Sequence, residues 1–260
     1  MTAPIRLITF DAFDTIVRPR LPIFVSYTQI FHKHNIDVSQ DLVKRAFKPS
    51  FKKVEAEFPV YGKDVGMTPH DWWGKVIEGT LEGAGIPKDV TEKALPGVVN
   101  DLMHRFGTDE GYDLFPDVLP ALEALRSLPS PPRLALVSNT DSRMHDVLSS
   151  LGVGHFLEPA ILSSEVGFEK PDQRVWEEAV RRTGLEGLDW EGRGGVLHVG
   201  DELAADYWGA KKAGIEALLV RRQGEYSDGS RREATEILAG VEIVSDFGGV
   251  VEWVRKRNSP

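Results

Sequence analysis

The chain contains no cysteine, which excludes disulfide stapling and thiol catalysis alike. It has no apolar run approaching the roughly 18 residues of a membrane span. It also has no surplus of positive charge. The 31 Lys and Arg against 40 Asp and Glu leave a net charge of −9. That balance argues against a long basic groove for nucleic acid. No internal repeat or low-complexity tract interrupts it. Apolar residues begin almost at once after Met1, so no secretory leader is expected. These absences point to a cytoplasmic or nuclear protein. The expected partner is a small molecule or another protein, without nucleic acid or membrane.

What is present alternates between two textures. Short apolar runs at Leu7–Phe10, Leu134–Val137, Ala160–Leu162, Val196–Val199 and Ala217–Val220 fit parallel strands covered on both faces. Helical patterns separate the last four. Met144, Val147, Leu148 and Leu151 share one helix face within 141–151. Pro171 suits the first turn of a helix over 171–180. A helix over 204–213 would end at Gly214. Strand–helix repetition of this kind predicts an open α/β sheet.

Residues 18–115 break that pattern with helical periodicity and no good strand. Phe24, Tyr27, Ile30 and Phe31 fall on one face. Thr68 is an N-cap before Pro69 and the Trp72-Trp73 pair. Of two adjacent helical tryptophans, one should turn away from the other's packing. The stretch reads as a helical insertion, 18–115, in a core formed by 1–17 and 116–260.

Four expected strand ends carry polar groups. Asp11 follows the first strand, where ligands of open α/β sheets bind. Ser138 follows the second and precedes a helix, where backbone N–H groups can receive a phosphate oxygen. Lys170 lies in Gly-Phe-Glu-Lys-Pro-Asp after the third. Asp201 follows the fourth, with Asp206 five residues later. This set meets the needs of phosphoryl transfer. A carboxylate can act as nucleophile. Carboxylates and a backbone carbonyl are the ligands Mg²⁺ prefers. A fixed ammonium with hydroxyl and amide donors can hold the phosphoryl oxygens.

In order, Asp11-Ala-Phe-Asp-Thr, Val-Ser138-Asn-Thr, Lys170-Pro-Asp and Gly-Asp201-x-x-x-x-Asp206 make the chain resemble the haloacid dehalogenase superfamily of hydrolases. The resemblance implies a three-layer, Rossmann-like α/β core with a parallel sheet and a helical C1-type cap inserted after the first strand. It implies Asp11 as nucleophile and metal ligand. The Phe13 carbonyl and Asp201 would be further ligands of Mg²⁺, and Asp206 would support the metal or Lys170. Ser138 and Asn139 would bind the phosphoryl group together with Lys170. Thr15 would steady the first loop. Arg18 could reach a substrate anion, or be solvated hinge charge.

The departure is Phe13, where phosphatases of the superfamily carry the aspartate that protonates the leaving alcohol. General acid–base help of that kind is worth roughly 10²–10⁴-fold. Asp14 follows, where the superfamily usually has glycine; on a strand it would face away from Phe13, in a turn it need not. Three functions remain open. One is an Mg²⁺-dependent phosphatase, slow on alkyl phosphates or suited to acyl phosphates and anhydrides. Another is dehalogenase or phosphonatase chemistry, the latter requiring an insertion lysine such as Lys33, Lys44 or Lys52. The last is a binding or scaffold protein with an impaired site. Taken singly, each motif residue has a plainer role: Asp11 a turn, Ser138 a helix cap, Lys170 surface charge, His198 a satisfied core histidine.

Overall fold

The computed structural model describes residues 3–185, 195–223 and 235–259. By its contacts the chain divides into a core unit, residues 1–18, 114–139 and 153–260, and a helical unit, residues 19–113 and 140–152. Eight strands occur among the described residues. They are β1 (Leu7–Phe10), β2 (Val17–Pro19), β3 (Tyr112–Leu114), β4 (Arg133–Ser138), β5 (Ala160–Leu162), β6 (Val196–Gly200), β7 (Glu216–Val220) and β8 (Ile243–Val244).

Six of them form the core sheet in the order β5-β4-β1-β6-β7-β8, all parallel. β1 is central because its four residues, Leu-Ile-Thr-Phe, are buried on both faces and carry no charge. Alternation sends Leu7, Ala135, Val137 and Val196 to one face, where they meet Val175, Trp176 and Ala179 of the helix Arg174–Thr183. Phe10 faces the other way and stacks on Phe247 of the C-terminal helix Phe247–Asn258, ring centroids 5.3 Å apart. The expected three-layer α/β core is present.

In this order β1 lies between β4 and β6, and the chain leaves β1 toward one side before returning to the other. Parallel strands reverse their connection there, and the crevice beyond their carboxyl ends is the expected ligand position.

The helical unit holds the helices Ile23–Lys33, Gln40–Glu57, Pro69–Gly83 and Lys88–Arg105. The third begins as expected: the Thr68 hydroxyl accepts from the Asp71 N–H at 3.1 Å, and the Asp71 carboxylate accepts from the Thr68 N–H at 3.3 Å. Helices Gln40–Glu57 and Pro69–Gly83 pack closely at small residues. A Cβ on Gly79 would come within 3.2 Å of Ser50 Oγ. Trp72 is buried against Val54 and Val76 and donates Nε1–H to the Phe58 carbonyl at 2.9 Å.

Three expectations change. Residues 140–152, expected in the core, group by their contacts with the helical unit, where Asp141 and Arg143 engage Trp73 of helix Pro69–Gly83. Trp73 Nε1 donates to Asp141 Oδ2 at 2.8 Å, and the Arg143 guanidinium lies 4.9 Å from the Trp73 ring centre. Trp73 nonetheless stays packed against Trp72, ring centroids 5.1 Å apart. Stretch 18–115 is not strand-free: β2 and β3 stand at its two ends as a two-stranded sheet. Finally, Pro171 is not in a helix first turn. The helix starts at Arg174, whose N–H the Asp172 carboxylate accepts at 3.0 Å.

Candidate active site

Asp11, Ser138 and Asp201 each stand at or just past the carboxyl end of β1, β4 and β6, so three neighbouring strands deliver them to one edge of the sheet. Asp11 is held at that edge by its own N–H, which donates to the Val199 carbonyl of β6 at 2.9 Å. The chain then turns sharply. Ile16 and Val17 both donate N–H to the Ala12 carbonyl, and Asp14 donates to the Val17 carbonyl at 2.7 Å. Asp14 takes a left-handed backbone, φ 52°. A short polar side chain tolerates that conformation, and it is one glycine adopts freely. Phe13 is half-buried and bridges Val17. Thr15 Oγ1 donates to Asp201 Oδ1 at 3.3 Å, tying this turn to the end of β6.

Lys170 is the centre of the charge arrangement. Its ammonium is buried and lies 2.5 Å from Asp11 Oδ1 and 2.6 Å from Asp206 Oδ1. The loop bearing it is fixed by Asn139. That side chain donates Nδ2–H to the Lys170 carbonyl at 2.9 Å and accepts the Lys170 N–H at 2.7 Å. The Asn139 amide side chain therefore positions Lys170. Ser138 is buried beside it in sequence at the end of β4.

Asp206 reaches the site through a local irregularity. The helix expected over 204–213 opens with a π-helical turn, Leu203–Trp208, in which the Tyr207 N–H reaches the Glu202 carbonyl at 3.1 Å. Asp206 Oδ2 folds back to accept the Glu202 N–H at 2.7 Å. There is room only because residue 200 is glycine: a Cβ there would meet the Asp206 carboxylate carbon at 2.2 Å.

His198, expected as a satisfied core histidine, is buried and satisfied, and its partners join it to this cluster. Its Nε2 lies 3.1 Å from Asp206 Oδ1 and its Nδ1 lies 2.8 Å from Thr9 Oγ1, the residue opposite it on β1. Burial holds the imidazole pKa below its ordinary value, and the Lys170 charge adds to this, outweighing the pull of Asp206. A neutral ring can serve Asp206 only by donating from Nε2, which leaves Nδ1 to accept the Thr9 hydroxyl. The signal for this pair was in the sequence: two polar residues inside otherwise apolar strands.

Burial pushes the Asp11 carboxyl up, and the neighbouring Asp206 charge adds to it against Lys170. Burial would raise Asp206 too, but Lys170 and His198 together hold it well below the carboxylate range. The two carboxylates keep Lys170 charged despite its burial. Asp11, Asp201 and Asp206 are all buried, and each offers an oxygen within 4.8 Å of the others. Three carboxylates against one ammonium leave a net two negative charges. Oxygen donors with that charge fit a hard divalent cation. The Arg18 guanidinium lies 5.7 Å from the Phe115 ring centre.

A profile of the haloacid dehalogenase-like hydrolases matches residues 5–214. The chain belongs to this family. Among haloacid dehalogenase-like hydrolases it is 30% identical over 215 residues to the mouse haloacid dehalogenase-like hydrolase domain-containing protein 3, covering 83% of this chain and 81% of that one. The fold is shared with two solved structures. One is a 2-haloacid dehalogenase from Pseudomonas syringae pv. tomato, with TM-score 0.64, 22% identity and 98% and 100% of the two chains covered. The other is the hydrolase YfnB of Bacillus subtilis, bound to magnesium, with TM-score 0.66, 18% identity and 97% and 99% covered. Among the described residues, no helix is long and apolar enough to cross a membrane.

Proposed function

We propose that this haloacid dehalogenase-like hydrolase is an Mg²⁺-dependent phosphohydrolase acting on a small phosphorylated molecule. The observation that carries this reading is the shared ammonium of Lys170, set between Asp11 and Asp206 in a buried cluster of three carboxylates. Dehalogenation needs no metal and gives no role to so acidic a cluster. Asp11, Asp201 and the Phe13 carbonyl would hold the ion, which would supply positive charge against the phosphoryl oxygens. Magnesium in YfnB, which shares the fold, supports the choice of ion.

In the reaction, Asp11 attacks phosphorus and its carboxylate oxygen forms the new P–O bond. The bond to the leaving oxygen breaks, and that oxygen departs with its electron pair. Water then attacks the aspartyl-phosphate and releases phosphate, returning the carboxylate. Lys170 and the Ser138 hydroxyl hold phosphoryl oxygens during both steps. Asp206, held in turn by His198, keeps Lys170 charged and aimed, and Asn139 fixes the loop that carries it.

Phe13 offers no proton to the leaving oxygen. Substrates whose leaving groups are already weak bases, acyl phosphates and mixed anhydrides, are therefore favoured over alkyl phosphates. Phe13 also favours a second reading, a site kept for binding alone. Assay of the full chain with Mg²⁺ against acetyl phosphate, p-nitrophenyl phosphate and a panel of phosphorylated metabolites separates the two. Turnover that disappears in Asp11→Asn supports the hydrolase. Phosphate or Mg²⁺ binding without turnover above that control supports the binding protein.

A further inference from the structure

Two adjacent arginines follow β7, and both are buried, Arg221 at 5% and Arg222 at 7% exposure. A guanidinium is kept out of water only where its charge and its donors are answered. Here the two terminal nitrogens of each are answered in the same manner, while both Nε atoms are buried without a hydrogen-bond partner among the described residues. Arg222 Nη1 donates to both carboxylate oxygens of Asp117, at 2.7 and 2.6 Å, while Nη2 donates to the Thr15 backbone carbonyl at 2.7 Å. The rings of Phe115 and Phe247 lie against it, 3.8 and 5.5 Å from the guanidinium carbon. Arg221 Nη2 donates to both oxygens of Glu236, at 3.0 and 2.9 Å, while Nη1 donates to the Asp201 backbone carbonyl.

In each fork one arm meets an acid that neutralises it and the other meets the carbonyl of a loop. Those loops are the two that carry the cluster: Thr15 ends the turn begun by Asp11, and Asp201 is itself a carboxylate of the set. The Thr15 hydroxyl, donating to Asp201 Oδ1 at 3.3 Å, closes the ring between them. β7 is two strands from β1, with β6 between. Arg222 therefore spans the sheet edge to reach Thr15, which a planar fork with fixed donor directions can do while still facing its acid.

We infer that Arg221 and Arg222 are positioning residues that set the separation of the Asp11–Thr15 turn from the Asp201 loop, and with it the affinity for the divalent cation. The cation part rests on the function proposed above. The clamp itself rests only on the two carbonyl contacts.

The test uses the full chain with Arg221→Lys and Arg222→Lys. A lysine keeps the charge but cannot serve two acceptors in fixed directions. Val250→Ala, in the C-terminal helix core, serves as a control that lowers stability while leaving both arginine forks intact. Amide hydrogen exchange on metal-free protein reads the clamp directly. Arg222→Lys should speed exchange at Asp14, Ile16 and Val17, whose N–H groups are bonded within the turn, and Arg221→Lys at Asp206 and Tyr207. Val250→Ala should change both segments only in step with global stability. Calorimetric titration with Mg²⁺ should show each lysine variant weakened by about 10–100-fold, as for residues that orient metal ligands from behind.

Wild-type exchange in both segments, or equal effects in Val250→Ala, would overturn the clamp. A wild-type chain that takes up no Mg²⁺ would overturn the metal-dependent reading while the exchange data still decide on the arginines. Should a lysine variant not fold, Glu236→Gln leaves Arg221 in place and loosens its anchored arm. Faster exchange at Asp206 in that variant supports the clamp, and unchanged exchange counts against it.

Discussion

Lys170 stands between Asp11 and Asp206, its ammonium 2.5 Å from one carboxylate and 2.6 Å from the other. The pairing keeps two buried anions apart in charge, and it places a cation beside the proposed nucleophile. Lys170→Met would leave both carboxylates facing each other without an intervening charge. Steady-state assays on acetyl phosphate at saturating Mg²⁺ should show kcat lower by roughly 10²–10³-fold, the loss seen when one preorganised charge-stabilising group is removed. A rate within twofold of wild type would count against a catalytic Lys170.

Phe13 isolates one step of the proposed reaction. Phe13→Asp should raise kcat/KM on alkyl phosphates by a factor approaching about 10²–10⁴, the worth of general acid–base assistance. It should change hydrolysis of acetyl phosphate little, because that leaving group needs no proton. Equal response from both substrates would mean that protonation is not what the site lacks.

Gly200 has its identity dictated by Asp206. A Cβ would lie 2.2 Å from the Asp206 carboxylate carbon and 2.3 Å from Oδ2. Gly200→Ala must therefore displace Asp206 from Lys170 and from the Glu202 N–H. Thermal melting should report a loss of about 1–3 kcal/mol, as for overpacking elsewhere. Activity should fall as well, since Lys170 loses its second partner. A variant that melts and turns over like wild type would show that the turn at Glu202 can yield.

Asp141 ties the helical unit together, and its ionisation has a readable sign. Burial alone would raise its pKa, but Arg143 and the Trp73 Nε1–H hold it below the usual carboxylate value. A carboxylate depressed in the folded state contributes stability above its unfolded pKa, about 3.9. That contribution is lost as pH falls through the folded value. Asp141→Asn leaves the half-buried Arg143 without its counter-charge and should cost about 1–3 kcal/mol at neutral pH. Melting curves for wild type and variant should then converge below about pH 4 as Asp141 protonates. A gap independent of pH would mean that the charge of Asp141 contributes little.

Much of the core could be anticipated from pattern alone. Five apolar runs became β1, β4, β5, β6 and β7 with ends shifted by at most a residue, because buried parallel strands tolerate no polar interruption. The exceptions within them, Thr9 and His198, were visible but lacked a meaning until they were found opposite each other. Local chemistry misled at Pro171, where a residue suited to a helix start precedes the actual start at Arg174. The π-helical turn at Leu203–Trp208 carries no distinct periodicity. The grouping of residues 140–152 with the helical unit is invisible in the sequence, because helix-face spacing says that a segment packs, not against what.

The sequence by itself determined which chemical groups stand at strand ends, and that position 13 carries a phenylalanine with no proton to give. Both follow from local order, since an apolar run places the next polar residue at the sheet edge. Only the tertiary structure decided the pairings. Lys170 meets Asp11 across 159 positions, Thr15 meets Asp201 across 186, and Arg222 meets Thr15 across 207. Contacts at such separations depend on the order of strands in the sheet and on loops that no short-range period encodes.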